Sequence, residues 1–360
     1  MNDKEWKKYK LGDIAELRKE QIAPNGKEQI YLGLEHIEQQ ALRLNGFGSS
    51  NDVVSNKFKF YNGDILYGKL RPYFRKVFNP KFEGVCSTDI YVIKNKAGID
   101  ISYLFYLIAT EDFSLIANSG STGTHMPRAD WNQLKVTEWL VPPLKTQTKI
   151  ASILSSLDEK IELNRQTNQT LEAIAQTLFK EMCLPKSDEL PEGWRVGKLG
   201  EFLEIKYGKD HKHLETGEIP VYGSGGIMRY VNQSLYEKES ILIPRKGTLS
   251  NLFFIDKPFW SVDTMFYTKI KDSTHSKFLF LLLKTMNLAS MNVGSAVPSL
   301  TTELLNNLEI IVPSNDILRK FDELVSPSFK MLASNIEQNQ TLISLRDSLL
   351  PKLMKGEIGV

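Results

Sequence analysis

The sequence predicts an α+β protein with an internal pseudo-two-fold repeat: two globular α/β regions held apart by two long antiparallel helices of coiled-coil type. Three observations predict it. The chain matches itself at several places along its length. Short β-rich runs broken by Gly, Pro and Asn fill residues 1–144 and 188–315. The segment after each of them lacks glycine through residues 183 and 355 and carries an apolar stripe at helical spacing.

The repeat comes first because it sets the organisation. WKKYKLGDIAEL at Trp6 resembles WRVGKLGEFLEI at Trp194, and GDILYGKLR at Gly63 resembles ESILIPRKG at Glu239. CSTDIYVIK at Cys86 resembles WSVDTMFYTKI at Trp260 through a shared Ser-x-Asp, which matches Asp89 with Asp263. YLFYLI at Tyr103 matches FLFLLL at Phe278, and Val141 opens a run matched at Val312. The sharpest match is NQTL, at Asn168 and again at Asn339. Its offset of 171 also relates Pro142 to Pro313. Upstream the offset drifts to 174 at Asp89 and 188 at Trp6, so the globular regions differ by insertions and the segments after them do not. Trp6 and Trp194 read as core anchors.

The expected division is residues 1–144, a first long helix in 145–187, residues 188–315, and a second long helix with the C-terminus in 316–360. Steps of three and four along the first helix pick out Gln147, Ile150, Leu154, Leu157, Ile161, Asn164, Asn168, Leu171, Ala175, Leu178 and Met182. Adding the offset gives a second stripe from Leu318 to Leu353 with Asn335 and Asn339 at its middle. If the helices pack antiparallel, middle meets middle. The four asparagines then face each other and set the register, since buried Asn costs stability unless partnered. A helix of about 36 residues spans ~54 Å, against roughly 34–36 Å for one turn of B-DNA. Pro327 is expected to kink or interrupt the second helix.

Composition bounds the remaining possibilities. At 360 residues, with 41% hydrophobic and 24% charged, the chain has enough apolar matter for two or three domains and is not disordered. A net charge of +2 carries no bulk signal for nucleic acid, so any basic surface is local. Cys86 and Cys183 stand far apart with no CxxC spacing, which argues against a disulfide framework or a zinc site. The N-terminus lacks an apolar signal-peptide region. The longest apolar run, Phe278 to Leu283, is far short of a membrane span. A cytoplasmic protein without membrane contact is expected.

The order of globular region and helix, twice over, resembles the specificity subunit of type I restriction-modification systems. EIPVYGSGGI at Glu218, ILIPRKGTLSNLFF, FWSVDTMFY, VPPLKTQTKIASILSSLDEKIELNRQ and SLLPKLMKGEI are similar to segments of that family. Two departures stand out. The first region has YLGLEHI at Tyr31 in place of VYGSGG, and PSNDILRKF replaces the Pro-Pro-x-x-x-Gln expected before the second helix. The resemblance implies two target-recognition domains that read an asymmetric, bipartite double-stranded DNA target across an unread spacer. It implies no catalysis and no cofactor in this chain. S-adenosylmethionine would sit on methyltransferase subunits, two of them, and ATP with Mg on restriction subunits. A specificity subunit of a methyltransferase lacking a motor, an intrinsically catalytic DNA enzyme and a coiled-coil scaffold stay open as alternatives.

DNA reading needs cations for phosphates and forked or amide side chains for base edges. The first region offers Lys69, Arg71, Arg75 and Lys76 in YGKLRPYFRK, and His125 and Arg128 in GSTGTHMPRADW. The second offers Lys209, His211 and Lys212 in KYGKDHKH, Tyr222, Ser224, Gly225 and Arg229 in VYGSGGIMRY, and Arg245 and Lys246 at the position matching Lys69. The bland alternatives are solvated basic loops and a tight hairpin. His211 and His213 invite a zinc reading, but no further ligand is spaced to complete it. Asp89 and Asp263 read as structural, because no second carboxylate with a lysine recurs at catalytic spacing. The sequence also lacks GxxxxGK[ST], and no glycine-rich S-adenosylmethionine loop follows a strand.

Overall fold

The computed structural model describes residues 6–23, 28–120, 126–291 and 299–360. The chain divides into two compact units. Unit 1 comprises Met1–Asn164 with Glu337–Val360, and unit 2 comprises Arg165–Ile336. Each unit thus holds a globular region and a stretch of both long helices.

In unit 1 the strands are β1 (Lys7–Lys10), β2 (Ala15–Leu17), β3 (Gln21–Ile22), β4 (Ile30–Leu32), β5 (Gly48–Ser49), β6 (Lys57–Phe60), β7 (Ile65–Gly68), β8 (Val77–Phe78), β9 (Gly84–Cys86), β10 (Ile90–Asn95) and β11 (Glu138–Val141). The helices are α1 (Leu11–Ile14), α2 (Ile101–Ile108), α3 (Glu111–Ser119), α4 (Trp131–Leu134) and α5 (Leu144–Cys183), which continues into unit 2. Unit 2 adds β12 (Arg195–Lys198), β13 (Leu203–Tyr207), β14 (Ile219–Gly223), β15 (Gly226–Val231), β16 (Ser240–Pro244), β17 (Phe253–Ile255), β18 (Trp260–Ser261), β19 (Met265–Ile270) and β20 (Glu309–Val312). Its remaining helices are α6 (Ser276–Thr285), α7 (Thr302–Asn306) and α8 (Asn315–Met354), which ends in unit 1.

The repeat holds at the level of topology. β1 pairs with β11 as β12 pairs with β20. The order β2-β10-β7-β8 recurs as β13-β19-β16-β17, and β9-β4-β5 recurs as β18-β14-β15. Unit 1 extends that last sheet with β6 and β3, which accounts for part of the drifting offset. The central strands β7 and β16 read ILYG and SILIP and are buried at every residue, as continuous apolar runs require.

Strand pairing also corrects one sequence match. Ile90 faces Gly68 as Met265 faces Pro244. Leu32 lies beside Cys86 as Tyr222 lies beside Ser261. This register places Asp89 opposite Thr264 and Ser87 opposite Val262 in the repeat. The shared Ser-x-Asp is therefore one residue out of step. Lys69 matches Arg245 rather than Lys246, because the Lys69 N–H donates to the Asp89 carbonyl as the Arg245 N–H donates to that of Thr264, both at 2.9 Å. The YLGLEHI segment does occupy the place of VYGSGGI, since Tyr31 pairs with Val85 as Val221 pairs with Trp260.

Each globular region packs its apolar side on the long helices. In unit 1, Ile150, Ala151, Leu154, Leu350, Leu353 and Met354 join Tyr103, Leu107 and Phe113 in one core. In unit 2, Ala175, Phe179, Phe321, Val325 and Phe329 join Phe266, Phe278 and Leu282. All the stripe positions are buried or half-buried. Asp100 caps α2 by accepting from the Ser102 and Tyr103 N–H groups, and its own N–H donates to Gln147 on α5.

The helices run antiparallel within each unit. In unit 1, Asn164 Nδ2 donates to Asn339 Oδ1 at 2.9 Å and to Gln338 Oε1 at 2.7 Å, while Asn339 Nδ2 donates to the Ile161 carbonyl at 3.1 Å. In unit 2, Asn335 Nδ2 donates to Asn168 Oδ1 at 2.8 Å. Arg346, on the second stripe and 3% exposed, bonds Asp158 at 2.7 Å, and Asp158 also accepts from the Tyr106 hydroxyl. Helix α8 is not interrupted at Pro327, contrary to one of the two expected outcomes there. Trp6 packs half-buried against the unit 1 core. Trp194 is half-buried, with an indole N–H that is buried without a hydrogen-bond acceptor.

Candidate nucleic-acid interface

In both units most candidate DNA-reading residues lie on loops at the rim of the sheets, while Tyr222 lies in β14 and Arg229 in β15. These loops bond one another through backbone groups, so each is held by its neighbours rather than left to water. In unit 1, the loop after β7 runs from Lys69 to Lys76. The Arg71 N–H donates to the Pro127 carbonyl at 2.7 Å, and the Ala129 N–H donates to the Lys69 carbonyl at 2.9 Å. The Ser87 N–H reaches the Leu32 carbonyl at 2.9 Å, and the Gln40 N–H reaches that of Arg75 at 3.4 Å. In unit 2, the Lys209 N–H donates to the Ser261 carbonyl at 2.8 Å, and the Leu300 N–H to that of Arg245 at 3.1 Å. Asn251 Nδ2 donates to the Ser224 carbonyl at 2.9 Å, tying the β14–β15 turn to the loop after β16.

The side chains divide into free and engaged. Arg71 is half-exposed, Lys209, Lys212 and Lys246 are exposed, and none of the four is in an ion pair among the described residues. Lys69 lies over the Tyr91 ring at 5.3 Å, which keeps its ammonium at the rim. Arg245 lies over the Tyr207 ring at 5.5 Å and bonds the Asp263 carbonyl at 3.2 Å. Arg128 is exposed but bonds Asp89 at 3.1 Å, which makes that aspartate a loop-fixing acceptor.

Three basic side chains proposed from the sequence turn inward instead. Arg75 Nη2 donates to the Ala109 carbonyl at 3.0 Å, and its Nε is buried without an acceptor. Lys76 donates to the Leu34 carbonyl, and burial lowers its ammonium below the usual lysine range. Arg229 Nη2 donates to the Leu214 carbonyl at 2.6 Å. Each of these bonds ties a loop to a neighbouring backbone carbonyl. Tyr222 packs against Phe253, and burial pushes its hydroxyl up to about 12. Ser224 and Gly225 form the two-residue turn between β14 and β15, the tight-hairpin reading. His211 is half-buried, with Nδ1 lacking a partner. Among the described residues no group of three or more His, Cys, Asp or Glu is placed to hold a metal. His125 lies outside the described residues.

Among the described residues, the non-glycine residues with positive φ are Gln40, Leu42, Arg71 and Arg75, at 58°, 54°, 53° and 48°, all in unit 1. Each costs of order 1–3 kcal/mol, and such residues persist where the surroundings over-determine them. Sequence reading missed the Gln40 loop. The signal available was the extra length between YLG and the next strand: residues 33–47 in unit 1 against Ser224–Gly225 in unit 2.

Comparison with known proteins agrees with this layout. The model of the type I restriction modification DNA specificity domain matches residues 3–173 and again 191–337. The MjaIX specificity subunit of Methanocaldococcus jannaschii is 28% identical, over 74% of this chain and 71% of that one. The HindI specificity subunit of Haemophilus influenzae is 25% identical, over 98% of this chain and all of the relative. The crystal structure of a type I restriction-modification S subunit from M. genitalium shares the fold, with a TM-score of 0.63, 19% identity and coverage of 97% and 96% of the two chains. No helix among the described residues is long and apolar enough to cross a membrane. With its specificity-domain sequence present twice and a rim of bonded loops on each copy, the chain belongs to the type I restriction-modification DNA specificity family.

Proposed function

We propose that this chain is the non-catalytic, DNA-reading subunit of a type I restriction-modification complex, working in the cytoplasm on a bipartite, asymmetric double-stranded target. Each globular region reads one half-site. The observation that carries the reading is the duplicated rim: loops in equivalent topological positions present free or ring-stacked cations in both units, while their side chains differ. Lys69, Arg71, Arg128 and His125 serve unit 1. Lys209, Lys212, Arg245 and Lys246 serve unit 2. The two half-sites differ because Leu32-Gly33 opens a long arm where Tyr222-Gly223 opens a two-residue turn.

The asparagine pairs fix the register of α5 against α8. Methyltransferase subunits, two per chain, and restriction subunits supply the chemistry. S-adenosylmethionine, ATP and Mg belong to those partners. The test is genome-wide methylation mapping in cells with and without this chain. Loss of one bipartite methylated motif on deletion supports the reading. Unchanged methylation in a strain whose methyltransferase subunit is active overturns it.

A further inference from the structure

Unit 1 carries an arm that unit 2 lacks. Between β4 and β5 the chain makes a 3₁₀ turn at Leu34–His36, then doubles back through a bridge between Ile37 and Leu44. The arm is braced throughout. His36 Nδ1 accepts from the Gly33 N–H at 2.9 Å, the Asn45 N–H donates to the His36 carbonyl at 3.0 Å, and the Glu38 N–H donates to that of Arg43 at 3.0 Å. An ion pair joins the Arg43 and Glu38 side chains. Leu42 packs against the unit 1 core, and the Gln40 N–H ties the tip to Arg75 on the Arg71 loop.

What this bracing presents is Gln39 and Gln40, both exposed, with side-chain amides that hydrogen-bond nothing among the described residues. Glycine or asparagine would hold the left-handed conformation of residue 40 at lower cost. A glutamine kept there under strain, on a stiff arm tied to the loop that carries Arg71, points to use of its amide. The paired donor and acceptor of a glutamine amide match adenine N6 and N7 in the major groove.

We propose that residues 37–44 form a base-reading arm of unit 1 and that Gln39 and Gln40 determine specificity for an A·T pair in its half-site, with no counterpart in unit 2. This rests on the DNA-reading function proposed above. Methylation mapping of the wild type first supplies the motif, and absence of any bipartite motif refutes that function, not this assignment. The full chain, assembled with its methyltransferase subunits, is then titrated with duplexes substituted at each motif position.

The Gln39→Ala/Gln40→Ala variant is expected to bind the cognate duplex about 5- to 150-fold more weakly and to stop discriminating at one A·T position of one half-site. Gln40→Gly relieves the left-handed residue, so it folds with an unchanged or higher Tm and decides the matter if the double variant fails to assemble. A discrimination profile of wild-type shape in the variants, with or without uniform weakening, overturns the assignment. So does flattening in the half-site that replacement of unit 2 alters.

Discussion

Asn164→Leu is expected to destabilise the chain by more than its size suggests, and Asn339→Leu in the same molecule to restore what was lost. Asn164 is 2% exposed and Asn339 8%, so neither amide is reachable by water once its partner is gone. Leucine matches asparagine in shape but supplies no donor. Asn164→Leu therefore leaves Asn339 Oδ1 desolvated and unbonded, at about 1–3 kcal/mol. Asn339→Leu costs less, because Asn164 Nδ2 keeps its bond to Gln338 Oε1 at 2.7 Å. The double variant removes both groups and leaves two apolar side chains at adjacent stripe positions, a change that is often neutral or stabilising. Hydrogen exchange along residues 158–168 and 335–346 is the assay of choice, because a chain of two units need not unfold in one step. Single losses that add in the double variant to within about 0.5 kcal/mol would refute the reasoning.

Other outcomes follow from the rims and cores. Lys246→Ala and Lys69→Ala should each weaken DNA binding and reduce the slope of log K against log salt by about 0.9. An unchanged slope in both places neither ammonium at a phosphate. Stability of unit 2 should fall as pH drops below about 6.5. Burial against Phe202 lowers the His275 imidazole from that value, outweighing Asp272 and Asp322, so the unfolded chain binds a proton that the folded one does not. The loss sets in as pH falls through 6.5 toward the depressed folded value, and His275→Asn should abolish this part of it; a pH profile identical in the variant contradicts the assignment.

The two-fold layout was legible because it is written in periodicity. The helices carry no insertions, so an offset of 171 aligns NQTL with NQTL and places asparagine opposite asparagine. The globular regions were harder. The Ser-x-Asp match at Ser87 and Ser261 is an accident of composition, and only the pairing of Gly68 with Ile90 and of Pro244 with Met265 shows the true register. Charge in a sequence carries no direction: Arg75, Lys76 and Arg229 each hydrogen-bond a backbone carbonyl that no sequence pattern pointed to. Only its length announced the arm at Gln40, because its shape depends on positive φ at residues whose types do not announce it.

The most direct test of one unit per half-site is to exchange the globular region of unit 1, up to β11, for that of a relative with a known target. The methylated motif of the assembled complex is then mapped. The account predicts that one half-site changes to that of the donor while the other half-site and the spacer length stay as they were. A motif altered in both halves, or in neither, would contradict it.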